Sequence, residues 1–365
     1  MIILWTDALI FLLLFILIWM LVQAARRPYL RQQWQKAYAH PTRKLALIIL
    51  LCYASIGLLD SMHYKQHNSN NVVSVLDYLL KPIANSVETS YSAPFAQHLF
   101  TKQLRKDQDG NISWFAPKLK SPNHVFGTDK VGIDVLYASI KSIRTGLIIG
   151  LLTTFISLPF AIFFGAIAGY YRGLVDDLIQ YLYTTLSSVP GVLLITAAIL
   201  TVDAVVQRHQ AMFELMAQRT DMRLLILCSV LGLTSWTSLC RILRGETLKL
   251  REQEFVLASK VLGTSNLQII YKHIVPNLFN IILISIVLDF SGLVLAEAVL
   301  SYVGVGVDPA MFSWGNMINS ARLEMGREPV IWWSLTGAFV LMFTLVLAAN
   351  IFADGVRDAF DPKVV

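Results

Sequence analysis

Seven stretches of this chain are apolar for long enough to cross a hydrocarbon core of roughly 30 Å. They lie near residues 2–23, 44–60, 145–170, 183–206, 223–240, 279–303 and 331–353. Runs of this length without regular interruption predict membrane-spanning helices, so the fold class expected is all-α, a polytopic helix bundle. The first stretch is apolar from Ala8 to Val22 and lacks a basic segment in front. Its basic residues follow it instead, which marks a retained anchor rather than a cleaved leader.

Polar stretches fix the orientation. The one after the first span holds Arg26, Arg27, Arg31, Lys36, Arg43 and Lys44, and 241–277 holds Arg241, Arg244, Lys249, Arg251, Lys260 and Lys272. Seven alternating spans put both on one side, and the positive-inside rule makes that side cytoplasmic. The segment 61–144 is then external and the tail 354–365 internal. Two external stretches carry helical periodicity. Val72, Leu76, Leu79, Leu80, Ile83 and Val87 predict a short amphipathic helix. Ile133, Leu136, Ile140, Ile143 and Leu147 share a face, with Lys141 and Arg144 off it, and predict an interfacial elbow helix leading into the third span.

Composition agrees with this picture. The 365 residues are 55% hydrophobic and 15% charged, against about 25% charged in an ordinary soluble domain. Mean hydropathy is +0.58. The net charge of +6 is explained by cytoplasmic loops and calls for no nucleic-acid partner. Cys52, Cys228 and Cys240 fall in or beside apolar runs, in no metal-ligand spacing, and read as small buried residues. The chain contains no G-x-x-x-x-G-K-[ST], no G-x-S-x-G and no H-E-x-x-H, so the common nucleotide-binding and hydrolytic motifs are missing.

Acidic residues within spans are costly and worth placing. Asp7 and Asp60 sit near span ends and are expected to reach the interface. Asp289 lies near the middle of the sixth span and Glu297 eight residues on, about 80° apart around the helix. Both are candidates for a polar solute pathway or for a hydrogen bond to a neighbouring helix. Pro159, Gly165 and Gly169 interrupt the third span, and Ser187, Ser188, Pro190 and Gly191 open the fourth; such residues permit kinks and close helix approach.

The segment 241–277 is about 37 residues long, well beyond an ordinary connector. It is also patterned. A helix-compatible stretch runs from 246 to 262, Gly263 breaks it, Thr264 or Ser265 caps a second helix over 266–274, and Pro276 starts the next span. Leu267, Ile270 and Ile274 give the second helix an apolar face suited to a partner's groove or to the protein's own spans.

The run Phe255-Val-Leu-Ala-Ser-Lys-Val-Leu-Gly263, followed by His273-Ile-Val-Pro276-Asn277, resembles the cytoplasmic EAA loop of ABC importer permeases. Ala258, Gly263, Ile274 and Pro276 match that motif, while Leu257 stands in place of its glutamate and Ser259 in place of its second alanine. Gly127-Thr-Asp-Lys-Val-Gly-Ile-Asp134 resembles the G-T-D-x-x-G-R-D segment of the dipeptide/oligopeptide group, with Ile133 in place of the arginine. Glu297-Ala-Val-Leu-Ser301-Tyr-Val-Gly304-Val-Gly306 and Ser313-Trp314-Gly315 are similar to two further signatures of that group. The resemblance extends from about residue 126 to residue 362.

What the resemblance implies is a type I permease core of six spans, to which residues 1–43 add one extra N-terminal span and a basic linker. Residues 44–144 supply the next span and the external segment, 145–353 the core with its coupling loop, and 354–365 a tail. The implied function is the pore subunit of an ATP-driven importer in the bacterial inner membrane, itself not an enzyme, for peptides or other small solutes such as nickel chelates or glutathione. Implied partners are a second homologous permease, two cytoplasmic ATPase subunits, an extracytoplasmic solute-binding protein and lipid. ATP and Mg would act through the ATPases, with no cofactor on this chain. Coupling falls to Leu257, Ala258, Ser259, Gly263, Thr264, Ser265, Asn266, Ile274 and Pro276. A transporter or channel driven by an ion gradient would use Asp289 and Glu297 instead, but no inverted repeat accompanies them. A membrane scaffold would need the spans alone.

Overall fold

The computed structural model describes residues 4–25, 40–65, 72–84, 86–106, 112–121, 124–208, 216–326 and 330–360. The basic cluster Arg26, Arg27, Arg31 and Lys36 lies outside the described residues. Helices α1 (Trp5–Ala25) and α2 (Pro41–Ser61) come first. The segment expected to be external follows with a hairpin of β1 (His63–Lys65) and β2 (Val72–Ser74), helices α3 (Val75–Leu79) and α4 (Lys81–Ala84), and a hairpin of β3 (Gln103–Lys106) and β4 (Ile112–Phe115). Next come α5 (Val135–Tyr171), α6 (Leu174–Ser188), α7 (Gly191–Arg208) and α8 (Met216–Leu250). The segment after α8 holds α9 (Glu254–Val261), α10 (Asn266–Ile269), a π-helical turn (Ile270–Ile274) and α11 (Val275–Asn277). The chain closes with α12 (Phe279–Val303), α13 (Trp314–Glu324) and α14 (Trp333–Phe360).

Five described helices, α2, α5, α8, α12 and α14, are each long and apolar enough to span, and α6 with α7, bent by 85° at a short break, makes a sixth where the pair is taken as one span. The 21 residues of α1 extend about 31 Å at 1.5 Å per residue. All seven apolar stretches therefore fall on helices. The fourth differs in form: Ser187, Ser188, Pro190 and Gly191 sit at a break inside the span rather than at its start. The inner half, α6, is amphipathic instead of uniformly apolar, so hydropathy alone recognises the span late.

The predicted elbow helix is not a separate element. Nothing between Val135 and Pro159 breaks the helix, and α5 runs unbroken for 37 residues. The helix expected over 72–87 is shorter than its periodicity suggests. Val72–Ser74 pairs as a strand with His63–Lys65, and Ser74 then opens α3 through a capping box with Asp77. The tail expected from residue 354 is helical through Phe360 as the end of α14. Cys228 and Cys240 are buried, as expected, but Cys52 is exposed, on the same face of α2 as Leu45 and Ile48.

Helices α5 and α8 form the spine. A Cβ on Gly165 would lie 2.9 Å from the Cys240 carbonyl, and one on Gly169 would lie 2.5 Å from Thr247 Cβ. Absence of side chains at these two positions is what lets the backbones meet, as small residues do between membrane helices. Gly169→Val is expected to cost about 1–3 kcal/mol by overpacking, read as a lower melting temperature of the detergent-solubilised protein. Trp314 and Trp333 are fully buried and donate their indole N–H to the carbonyls of Ser139 (3.0 Å) and Thr128 (2.9 Å). These bonds tie α13 and α14 to the start of α5.

The loop 127–134 is the cap of α5. Asp134 is the N-cap, accepting from the backbone N–H of Leu136 and Tyr137. Asp129 accepts from the N–H of Val131 and Ile133 at 2.9 Å each. Burial holds the Asp129 carboxyl above its usual pKa, although backbone N–H groups of Ile133, Val131 and Gly132 pull the other way. No side chain at 133 is needed for this turn, which is why isoleucine is accommodated there.

Asp7 and Asp60, expected at the interface, are instead buried. Arg144 Nη2 donates to Asp7 Oδ1 at 2.6 Å and to Thr6 Oγ1 at 3.2 Å. His63 Nδ1 lies 2.8 Å from the other Asp7 oxygen. The Thr6 backbone N–H donates to Asp221 Oδ2 at 3.1 Å, and the Thr6 hydroxyl bonds to Oδ1. This cluster fastens the outer end of α1 to α5 and α8, where Leu9, Ile10 and Leu13 continue the contact against Leu224, Leu227 and their neighbours. Lys141 Nζ lies 2.8 Å from both Asp60 and Asp77. The two carboxylates were misplaced because their partners lie on distant segments, and local sequence does not reveal a cation 137 residues away.

Candidate functional site: the segment after α8

Helix α8 does not stop at the end of its apolar run. It continues through Arg241, Arg244 and Leu250, so the segment clear of the spans begins near Arg251. The helix predicted over 246–262 is divided there: turns at 251–253 separate α8 from α9. At the other end of α9, Gly263 has φ +82°. Its N–H donates to Lys260 O (3.1 Å), and the N–H of Thr264 donates to Ser259 O (3.2 Å). These paired bonds are a Schellman closure, in which the residue after the C-cap adopts the left-handed conformation that glycine takes without strain.

Ser265 stands at the N-cap of α10 but makes no side-chain cap bond, and the predicted second helix is short, passing into a π-helical turn at Ile270–Ile274. Thr264 is half-buried. The apolar residues divide between two sides. Ile269, Ile270 and Ile274 are buried with Tyr170, Ile179, Tyr183, Trp236 and Leu243. Leu267, expected beside Ile270 and Ile274, points outward. Phe255, Leu257, Val261, Leu262, Leu267 and Tyr271 are all exposed, with Val261 at 87% and Leu262 at 85%. Ala258, Gly263, Asn266 and Pro276 are exposed as well, whereas Ser259 is buried.

Three polar ties hold this surface to the bundle. Tyr170, at the end of α5, donates its hydroxyl to Asn266 Oδ1 at 2.9 Å. Arg251 Nη1 donates to the Tyr170 carbonyl at 2.7 Å and lies over the Tyr170 ring. Arg172 pairs with Glu252 at 2.5 Å. Tyr170 and Arg251 were not recognised in the sequence, since they lie 81 residues apart and neither belongs to a short motif. Leu257 and Lys260 join Tyr170, Arg172, Arg251, Glu252 and Val256 around a pocket of about 160 Å³.

The two acidic candidates of the sixth span separate. Glu297 is 2% exposed and accepts from Ser301 Oγ at 2.7 Å. It also lies where a Cβ on Gly315 would come within 2.7 Å, so it faces α13. Asp289 is half-buried and takes part in no ion pair among the described residues.

These features define a multi-pass membrane protein with an exposed apolar surface on the segment after α8. The chain belongs to the binding-protein-dependent transport system inner membrane component family, whose model matches residues 161–365. It is 34% identical to the oligopeptide transport system permease protein OppC of Haemophilus influenzae over 71% of this chain and 76% of that protein. It is 32% identical to the dipeptide transport system permease protein DppC of Lactococcus lactis over 66% of this chain and 64% of that protein. Among solved structures, an inward-facing MetNI methionine ABC transporter is similar over 62% of this chain and 97% of that chain, with 15% identity and a TM-score of 0.47. The protein is thus a permease subunit of an ABC importer, resident in the inner membrane.

Proposed function

We propose that this permease carries peptides or similar small solutes, that it pairs with a second homologous permease, and that two cytoplasmic ATPases drive it through the segment 251–277. An extracytoplasmic solute-binding protein delivers the solute to the outer face. ATP and Mg²⁺ act in the ATPases, and this chain binds neither. The peptide class rests on the relatives' names; the coupling role rests on one observation. Six apolar side chains stand exposed on α9, α10 and the turn beyond, clear of the spans, while Ile269, Ile270 and Ile274 root the same short segment in the bundle. A surface of this kind fits a partner's groove while its buried side chains tie it to the bundle.

Closure of the ATPases on ATP then moves this surface, and the rooted isoleucines and Tyr170 pass the movement to α5 and α8. Leu257, where the family motif carries glutamate, leaves docking to apolar contact. Retention of the ATPase on the gently solubilised permease is therefore expected to be little changed between about 0.1 and 0.5 M salt, because apolar contact is not screened. The paired replacement Val261→Asp/Leu262→Asp is expected to lower that retention at least about tenfold, with spans still inserted. If no ATPase accompanies the intact chain, and uptake by the purified complex is indifferent to ATP, the proposal fails.

A further inference from the structure

Helix α6 has three faces. Ile179 and Tyr183 point into the bundle. Val175, Leu178 and Leu182 are exposed and apolar, fit to meet lipid. Asp177, Thr184 and Ser188 are also exposed, on a third face roughly 150° from the buried one at 100° per residue, and Thr185 flanks them. With Gln180 and the exposed Tyr181 they line an open groove of about 420 Å³. Thr184 and Thr185 have no described side-chain bond; Ser188 donates only to the Thr185 carbonyl of its own helix.

Depth can be read from cross-contacts with α8. Asp176 pairs with Arg244, 2.7 Å from Nη2 to Oδ2. Arg241 lies over Tyr183, and Ser187 lies 3.4 Å from Thr237. The polar face therefore climbs from the cytoplasmic end to the level of Trp236 and Leu239, inside the apolar run of α8. There the helix breaks, with the 85° bend and the exposed residues Val189 and Pro190, the Pro190 carbonyl accepting from the N–H of Leu193 and Leu194 at the start of α7. Non-helical backbone is incompatible with lipid at this depth and occurs against protein or in water, and a face of hydroxyls and one carboxylate leading up to it suits water better than lipid. In transporters, broken spans characteristically flank the solute route.

We propose that Asp177, Thr184, Thr185 and Ser188, with the break at Val189–Pro190, line the water-filled inner half of the solute route. This rests on the reading of the chain as a transport subunit, and deepens it. The lining is neutral except at its inner mouth. Hydroxyls there exchange hydrogen bonds with the amides of a peptide main chain regardless of its side chains. Asp177 at the mouth favours an ammonium group. The stripe thus fits solutes defined by amide groups and a free amine.

The test uses the complete transporter in inside-out vesicles, with Cys52→Ala as background, because Cys228 and Cys240 are buried. Single variants Thr184→Cys and Ser188→Cys are compared with Leu178→Cys and Leu182→Cys, using a membrane-impermeant maleimide. A thiol reacts as thiolate, which forms in water and not in lipid, so the first pair is expected to label about tenfold faster or more. Labelling is also expected to block uptake. Protection of both polar positions in every nucleotide state would mean that the second permease covers the stripe, and equal labelling of both pairs would mean that it is ordinary membrane surface; either result overturns the proposal. Fast polar labelling together with uptake indifferent to ATP would sustain the stripe while removing the ATP-driven reading, so the two failures are separable. As an independent check, Asp177→Asn is expected to weaken competition by a peptide with a free amine more than by its N-acetylated form; equal effects would remove the role given to Asp177.

Discussion

Arg144→Leu is expected to destabilise the protein by about 3–5 kcal/mol, the cost of removing one partner from a buried charge pair. Asp7 and Asp221 would be left buried, at 0% and 1% exposure, without the guanidinium that lies 2.6 Å from the first and 3.9 Å from the second. The outer end of α1 should then loosen from α5 and α8. Thermal unfolding in detergent and protease sensitivity at the α1 end measure the effect. The triple variant Arg144→Leu/Asp7→Leu/Asp221→Leu should recover much of the loss, because a matched apolar replacement no longer strands a charge. A single variant that melts like the parent protein would show that the cluster does not hold α1.

Gly263→Pro is expected to abolish ATP-coupled uptake while leaving the spans inserted. Proline fixes φ near −65°, against +82° at this position, and removes the N–H that closes α9 onto Lys260. Both features of the Schellman turn are lost, so α9 and α10 no longer present their apolar residues as one surface. Gly263→Ala makes a graded companion. No atom lies within 4 Å of where its Cβ would fall, so the cost is backbone strain alone, about 1–2 kcal/mol, and partial coupling should survive. Uptake and ATPase retention are to be measured on the same preparations. Normal ATP-coupled uptake in the proline variant would falsify the assignment of this turn to coupling.

The spans were legible in the sequence because each is a long local pattern, and hydropathy reports such patterns directly. Gly263 was legible for the same reason: a helix-breaking residue between two patterned stretches has only local causes. The docking surface was half legible. Helical spacing placed Leu267 with Ile270 and Ile274, but the π-helical turn shifts the register, so that the isoleucines turn inward and Leu267 outward. The bent span shows a different limit. A helix with three faces averages to moderate hydropathy, and α6 was trimmed from the predicted span for that reason. Asp7, Asp60 and Asp221 mark the hardest case. Whether an acid near a span end reaches water or is buried depends on a cation supplied by a different helix, and pairings of that range are made by the fold.

The outer cluster also bears on how the chain is assembled. Asp7 enters the membrane with the first helix, yet Arg144 follows 137 residues later, and Asp221 lies 215 residues beyond Thr6. His63 follows Asp7 by 56 residues, but at a synthesis rate of about 5–20 residues per second Arg144 is made roughly 7–27 s after Asp7 and Asp221 roughly 11–43 s after Thr6. During that interval α1 lacks its guanidinium tie to α5, and His63 is the partner already made for its carboxylate. The helix made first is therefore among the last to find its place, and the finished cluster records that the two long spans on which it rests have arrived.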